Sequence, residues 1–545
     1  MKIKINLIFF CTLILFSSCE DNFDPKIYGS LTPENFPATE KEYISYAMTC
    51  YVPFTTTWTY WIGSGGIQHG FYIPEGGVLR MFEVTSDAAP QWRTGWGGEW
   101  LRLTQANFTQ CPYYWRGGVD QYNPNHFQKL AEISRFTEII GTIENAPDDV
   151  LSEAKKKNLL GETRLLRGLM MYYMLHIYGP LPVILNPEDV LNDEKLEDME
   201  RPSLQQMTEW ITTEFKYAIE NIAAVSPERG RYNKDYARVC LMRHCLNEGS
   251  YMNGYYQEAI DQYNELKKQG YRLFTQGTNP FVDLFKNANR FNSEIIMAVS
   301  CSEQADGGNN SGNFYPLMML ATPPDASKTD ENGEPTPFYY QGGGWGQNFN
   351  VSPIFYDTYD SNDKRRDVVL TSYWSNSGIR ISSAHLGNRW DGYIINKFPI
   401  ETATTFQGND IPLARWADVL LMFAEAEVRK NNSAPSAEAV AAVNEVRARA
   451  GLEGLSAEQT SSQTAFLDAL LLERGHEFLY EGLRKIDLIR FNRYAQEVKK
   501  SKDIVPTHQY MPLPNYAVEQ AETYGKVLKQ TYEREGWQTD LNLAK

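Results

Sequence analysis

Apolar residues recur at helical spacing in three stretches of the chain, roughly 126–178, 204–270 and 412–495. In the third, Ala417, Leu420, Leu421, Ala424 and Val428 fall at i, i+3, i+4, i+7 and i+11, which places them on one face of a helix. Leu467, Leu470, Leu471 and Phe478 repeat the arrangement. Between Lys234 and Lys268 the pattern predicts two antiparallel helices, with Gly249 and Gly254 punctuating the turn and Ala259-Ile260 opening the second apolar face.

Helix pairs of this length are the units of tetratricopeptide-like repeats, here without a strict consensus of roughly 34 residues. Residues 51–125 and 275–411 read differently: Gly, Asn, Ser, Pro and aromatics dominate, and runs such as Gln341-Gly342-Gly343-Gly344-Trp345-Gly346 are turn-rich. Long loops inside a compact unit tend to carry function. The predicted architecture is therefore mostly α, a tetratricopeptide-like helical repeat scaffold with an irregular, loop-rich lobe for binding a ligand.

Charge narrows the ligand. Lys and Arg number 52 against 68 Asp and Glu, a formal charge of −16. That field repels a polyanion, and no nucleic-acid-binding signature offsets it, so nucleic acid is excluded as a partner. The seven cysteines show no metal or redox spacing, and no metal or cofactor is expected. Removing Cys11 and Cys19 with the N-terminal signal discussed next leaves five, an odd number, so at least one buried thiol is expected to be free.

Lys2 and Lys4 precede an apolar and small-residue run from Ile5 to Phe16, a charged n-region and an h-region too short to span a bilayer. Ser17-Ser18-Cys19 then gives way to Glu20-Asp21-Asn22, which resembles a bacterial lipobox. Residues 1–18 read as a lipoprotein signal peptide and Cys19 as the acylated N-terminus, anchoring the protein to a membrane by lipid.

Trp58, Trp61, Trp92, Trp96, Trp100 and Trp115, half of the 12 tryptophans, crowd into loop-rich sequence. Sugar rings present apolar C–H faces to flat aromatic surfaces, and an indole offers wide contact with little rotamer entropy to lose. Trp100 reads as core because it leads into a helical segment, and Trp210 and Trp416 read as core within the repeats. For Trp61, Trp92 and Trp96, beside glycines, ligand contact and core packing are both open. Trp345, flanked by glycines, is the leading stacking candidate.

Several blocks resemble the SusD/RagB-like outer-membrane nutrient-binding lipoproteins. Glu162-Thr163-Arg164-Leu165-Leu166-Arg167-Gly168 running into Tyr178-Gly179-Pro180, Leu413-Ala414-Arg415-Trp416-Ala417-Asp418, Asn444-Glu445-Val446-Arg447-Ala448-Arg449, Glu473-Arg474 with Glu477-Phe478 and Glu481-Gly482, and Met511-Pro512-Leu513-Pro514 follow the family's order. Gly168 stands where Ala is commoner and Phe491 where Trp is commoner. The resemblance implies residues 19–230 as an N-terminal SusD-like region and 231–545 as a C-terminal SusD/RagB-like region, together one compact unit. It also implies a surface-exposed place on the outer membrane and delivery of a bound oligo- or polysaccharide to a SusC-like TonB-dependent transporter.

No catalytic residue is assigned, and the chain is not expected to be an enzyme. Glu473, Arg474, Glu477, Glu481, Arg484 and Asp487 lie a helical turn or so apart and read as interlocking ion pairs rather than as a glycosidase carboxylate pair. Two alternatives remain: a lipid-anchored helical glycosidase, and a binder of peptides on the same fold.

Overall fold

The computed structural model describes residues 36–545, apart from 57–59, 63–65, 69, 75–76, 93–97, 110–125, 198–199, 225–227, 229, 303–316, 347–348, 388–389 and 404–406. Cys19 and Trp96 lie outside the described residues.

The scaffold helices are α1 (Leu130–Glu144), α2 (Glu153–Tyr178), α3 (Leu204–Asn221), α4 (Lys234–Glu248), α5 (Tyr255–Lys267), α6 (Trp416–Asn431), α7 (Ala437–Arg449), α8 (Gln463–Glu477) and α9 (Arg484–Arg490). Several begin where a short polar side chain caps the first turn. Ser203, Asn233, Ser436 and Ser462 each accept from the backbone N–H three residues on, satisfying a donor the helix itself leaves open. Each helix from α1 to α7 packs on its chain neighbour, and α8 returns onto α6. The predicted pair across Gly249 and Gly254 is α4 and α5, packed together. Ala417, Leu420, Leu421, Ala424 and Val428 are all buried along α6.

The α5–α6 contact joins residues distant in sequence, because the chain leaves the scaffold after α5 and re-enters at α6. Exit and return are stapled by an antiparallel pair, Ile295–Val299 with Ile411–Arg415. Among its described residues the intervening lobe holds only short strands: Asn350–Val351 and Val369–Leu370 flank Tyr393–Ile395, and Tyr373–Trp374 pairs with Arg380–Ile381. The chain is thus mostly helical with an irregular lobe, as its periodicity predicts.

Lobe and scaffold are joined by a buried ionic seam. Arg365 of the lobe donates to Asp363, to Glu473 (2.6 Å) and to Glu477 (3.3 Å). Lys397 donates to Glu481 (2.5 Å), which also accepts from Arg415. Glu477 further accepts from Arg415 and Arg449. Burial alone would raise the Glu477 carboxyl, but the guanidiniums of Arg449, Arg415 and Arg365 outweigh it and hold it well below the usual carboxylate range. On the scaffold side, Asp418 joins Arg243 to Arg474, and Asp487 joins Arg474 to Arg490. The acidic-basic cluster read from sequence is therefore a set of ion pairs. Removing one partner would leave a buried charge uncompensated, at a cost of roughly 3–5 kcal/mol.

Candidate functional site

The motif Gly342-Gly343-Gly344-Trp345 lies against the segment after the short helix Leu317–Ala321. Trp345 donates its backbone N–H to Met319 O (2.7 Å) and Gly344 donates to Pro323 O (3.1 Å). A Cβ on Gly343 would lie 1.9 Å from Pro324 O, and one on Gly344 2.5 Å from Thr322 O. These two glycines are there because the strands of chain touch, and their closeness fixes where the indole sits. The Trp345 ring is half-buried, packed on the edge of the core.

Immediately before the motif, Phe338 is buried while Tyr339 and Tyr340 are exposed, at 46% and 47%. The two tyrosine rings meet edge to face, 5.5 Å between centroids. Phe338 anchors the turn: Tyr339 N–H bonds Thr336 O, Gly342 N–H bonds Phe338 O, and Lys328 Nζ reaches Tyr340 O. A neighbouring hairpin braces the platform, with Ser327 N–H on Trp374 O (2.7 Å) and Tyr373 OH on Asp325 (3.0 Å). Flat rings held by a fixed backbone, with hydroxyls at their rims, suit stacking on sugar rings.

Two other candidates sit elsewhere. Trp92, open at the sequence level between contact and core, is 1% exposed and meets Phe349 edge to face; its backbone N–H bonds Thr104 Oγ1. It is a core residue, and the physical reason is that Phe349 closes over it from far along the chain. Trp61 lies in the strand Tyr60–Ile62, paired through its backbone with Ile67, and its side chain is outside the description. Trp416 is core, as expected, whereas Trp210 is only half-buried. Tyr339 and Tyr340 escaped the tryptophan-based reading; the run Phe338-Tyr339-Tyr340 directly before a glycine-rich Trp loop was the available signal.

Cys50, Cys240, Cys245 and Cys301 are free and buried. Among the described residues no helix is long and apolar enough to cross a membrane, and no cluster of three metal-ligating side chains is present.

A helical repeat array that carries an irregular lobe between two packed helices defines a recognisable class of fold. It is shared with a solved laminarin binding SusD-like protein (TM-score 0.68, 19% identity, 90% of this chain and 99% of that one). Surface glycan-binding protein A from Bacteroides thetaiotaomicron in complex with laminarihexaose also has it (TM-score 0.65, 16% identity, 91% and 100%). In sequence the chain is 24% identical over 434 residues to SusD-like protein P25 of Formosa agariphila, covering 71% of this chain and 77% of that protein. It is likewise 24% identical over 536 residues to a SusD-like protein of Bacteroides ovatus, covering 91% and 84%. A SusD family model matches residues 293–531. In fold and in sequence the chain is similar to SusD/RagB-like proteins.

Proposed function

We propose that this chain is a cell-surface glycan-binding protein that holds an oligosaccharide against Trp345, Tyr339 and Tyr340, and is not an enzyme. The observation that carries the reading is the exposed tyrosine pair beside a half-buried indole on the lobe. Its support is that proteins of the same fold are described as laminarin binding and as a laminarihexaose complex. Trp61 and Trp96 are further candidate contacts from the same aromatic-rich sequence. Cys19 would carry the lipid that anchors the protein in the outer membrane, facing the cell surface, and a SusC-like TonB-dependent transporter would receive the glycan.

Oligosaccharide panels, laminarihexaose included, test the first part by calorimetry. Trp345→Ala and the double change Tyr339→Ala/Tyr340→Ala should each weaken the bound sugar at least about tenfold, roughly 1.4 kcal/mol. An unchanged affinity in both variants would remove the lobe as the site. Membrane fractionation of Cys19→Ala should find the protein released, and mild-detergent purification should bring down a large β-barrel; retention of the variant, or recovery of this chain alone, counts against the anchor or the partner.

A further inference from the structure

A cleft of about 570 Å³ lies on the scaffold, away from the 317–346 platform, between α1, the extended residues 182–185, the start of α3 and the region of the helix Asn515–Thr523. Its size is that of a small-ligand pocket. Trp210 projects from α3 into this wall and is half-buried rather than core. Phe127 also lines the cleft, meeting Tyr178 and Tyr516 edge to face at 5.9 and 6.1 Å. Polar side chains that can both donate and accept, Gln206 and Gln520, stand among these rings.

Asp189, Lys195, Glu200 and Arg201 are the charged residues lining the cleft, and the Arg201 guanidinium is held in place by the backbone. Its Nε donates to Lys529 O (2.8 Å), Nη1 to Tyr178 O (3.0 Å) and Pro180 O (2.6 Å), and Nη2 to Gln530 O at a long 3.4 Å. All four partners are backbone carbonyls, and among the described residues no carboxylate pairs with the guanidinium. One N–H of Nη2 is left over in a residue that lines the cleft. Burial pushes the Arg201 guanidinium down to about 10, so it is still a cation at neutral pH. A half-buried cation fixed by neutral groups is complemented by an anionic ligand group arriving from outside.

We propose that this cleft is a second carbohydrate site, selective for a sugar acid whose ring stacks on Trp210 and whose carboxylate meets Arg201. The proposal does not depend on the lobe site and would stand if that site failed. Saturation-transfer NMR of the full chain with glucuronic acid and with glucose tests it. Glucuronic acid should receive saturation and glucose several-fold less. Trp210→Ala should abolish the glucuronic acid signal, and Arg201→Lys should keep the fold while bringing the two sugars closer together. The proposal is overturned by a glucuronic acid signal that survives Trp210→Ala in a folded protein, by its absence from the parent chain, or by equal signals from both sugars in the parent chain.

Discussion

Trp92 and Trp345 are the same residue type in similarly glycine-rich sequence, yet their surroundings make opposite predictions. Trp92 is fully enclosed, so Trp92→Ala opens a cavity and should cost about 3–5 kcal/mol in urea unfolding. Trp345→Ala, at the edge of the core, should cost about 1 kcal/mol or less in the same assay. The difference was not legible in the sequence: Trp92 is closed off by Phe349, more than 250 positions away, and no local pattern announces that meeting. Another residue-level consequence concerns Glu83, whose Oε1 accepts from the backbone N–H groups of Gly482, Leu483 and Arg484. Burial pushes its carboxyl up to about 7 although those three amides pull it down. A folded-state value above the ordinary 4.5 means that the protonated group stabilises the fold below about pH 4.5, and that this contribution is lost as pH rises through about 7. Glu83→Gln keeps an acceptor oxygen and removes the charge. Denaturant titrations across pH 4 to 8 should show the variant gaining on the parent as pH rises, by up to about 3 kcal/mol; a constant difference would place the titration elsewhere.

At the scale of elements, α2 and α3 form an extensive contact, and Gly168 lies within it. A Cβ there would lie 2.8 Å from the Phe215 ring and 2.9 Å from Glu214 Cβ. Glu214 is itself pinned by Arg164 and Arg167 from α2, so it has little room to move. Gly168→Ala should therefore destabilise the protein by about 1–3 kcal/mol despite the better helix propensity of alanine, a loss readable as a lower thermal midpoint. Stabilisation would mean that Phe215 repacks freely. Helices were the legible part of this fold because a buried face leaves a 3.6-residue record in the sequence. Their breaks were less so: the stretch 126–178 is interrupted between Glu144 and Glu153, where Pro147 and two aspartates mark the turn. The aromatic platform left no periodic trace, because whether Phe338 or Tyr339 turns inward is decided by backbone bonds to residues 319–336 and not by spacing.

For the whole molecule, the seam of Arg365, Lys397 and Arg415 with Glu473, Glu477 and Glu481 makes lobe and scaffold depend on each other. Calorimetric unfolding should give one endotherm, and Arg365→Leu, which strands carboxylates from both parts, should lower its midpoint without splitting it. Two separate endotherms in the parent protein would show that the lobe folds on its own. The narrow stem at Ile295–Val299 and Ile411–Arg415 has a different consequence. Because the chain departs and returns at one spot between two helices already in contact, parts of the excursion that do not touch the rest of the molecule can change in length at little entropic cost. Lineages could trade the segment between these strands as a cartridge, changing what is captured without redesigning what holds it. The keying of such a cartridge would be two cations, at the places of Arg365 and Lys397, facing three waiting glutamates.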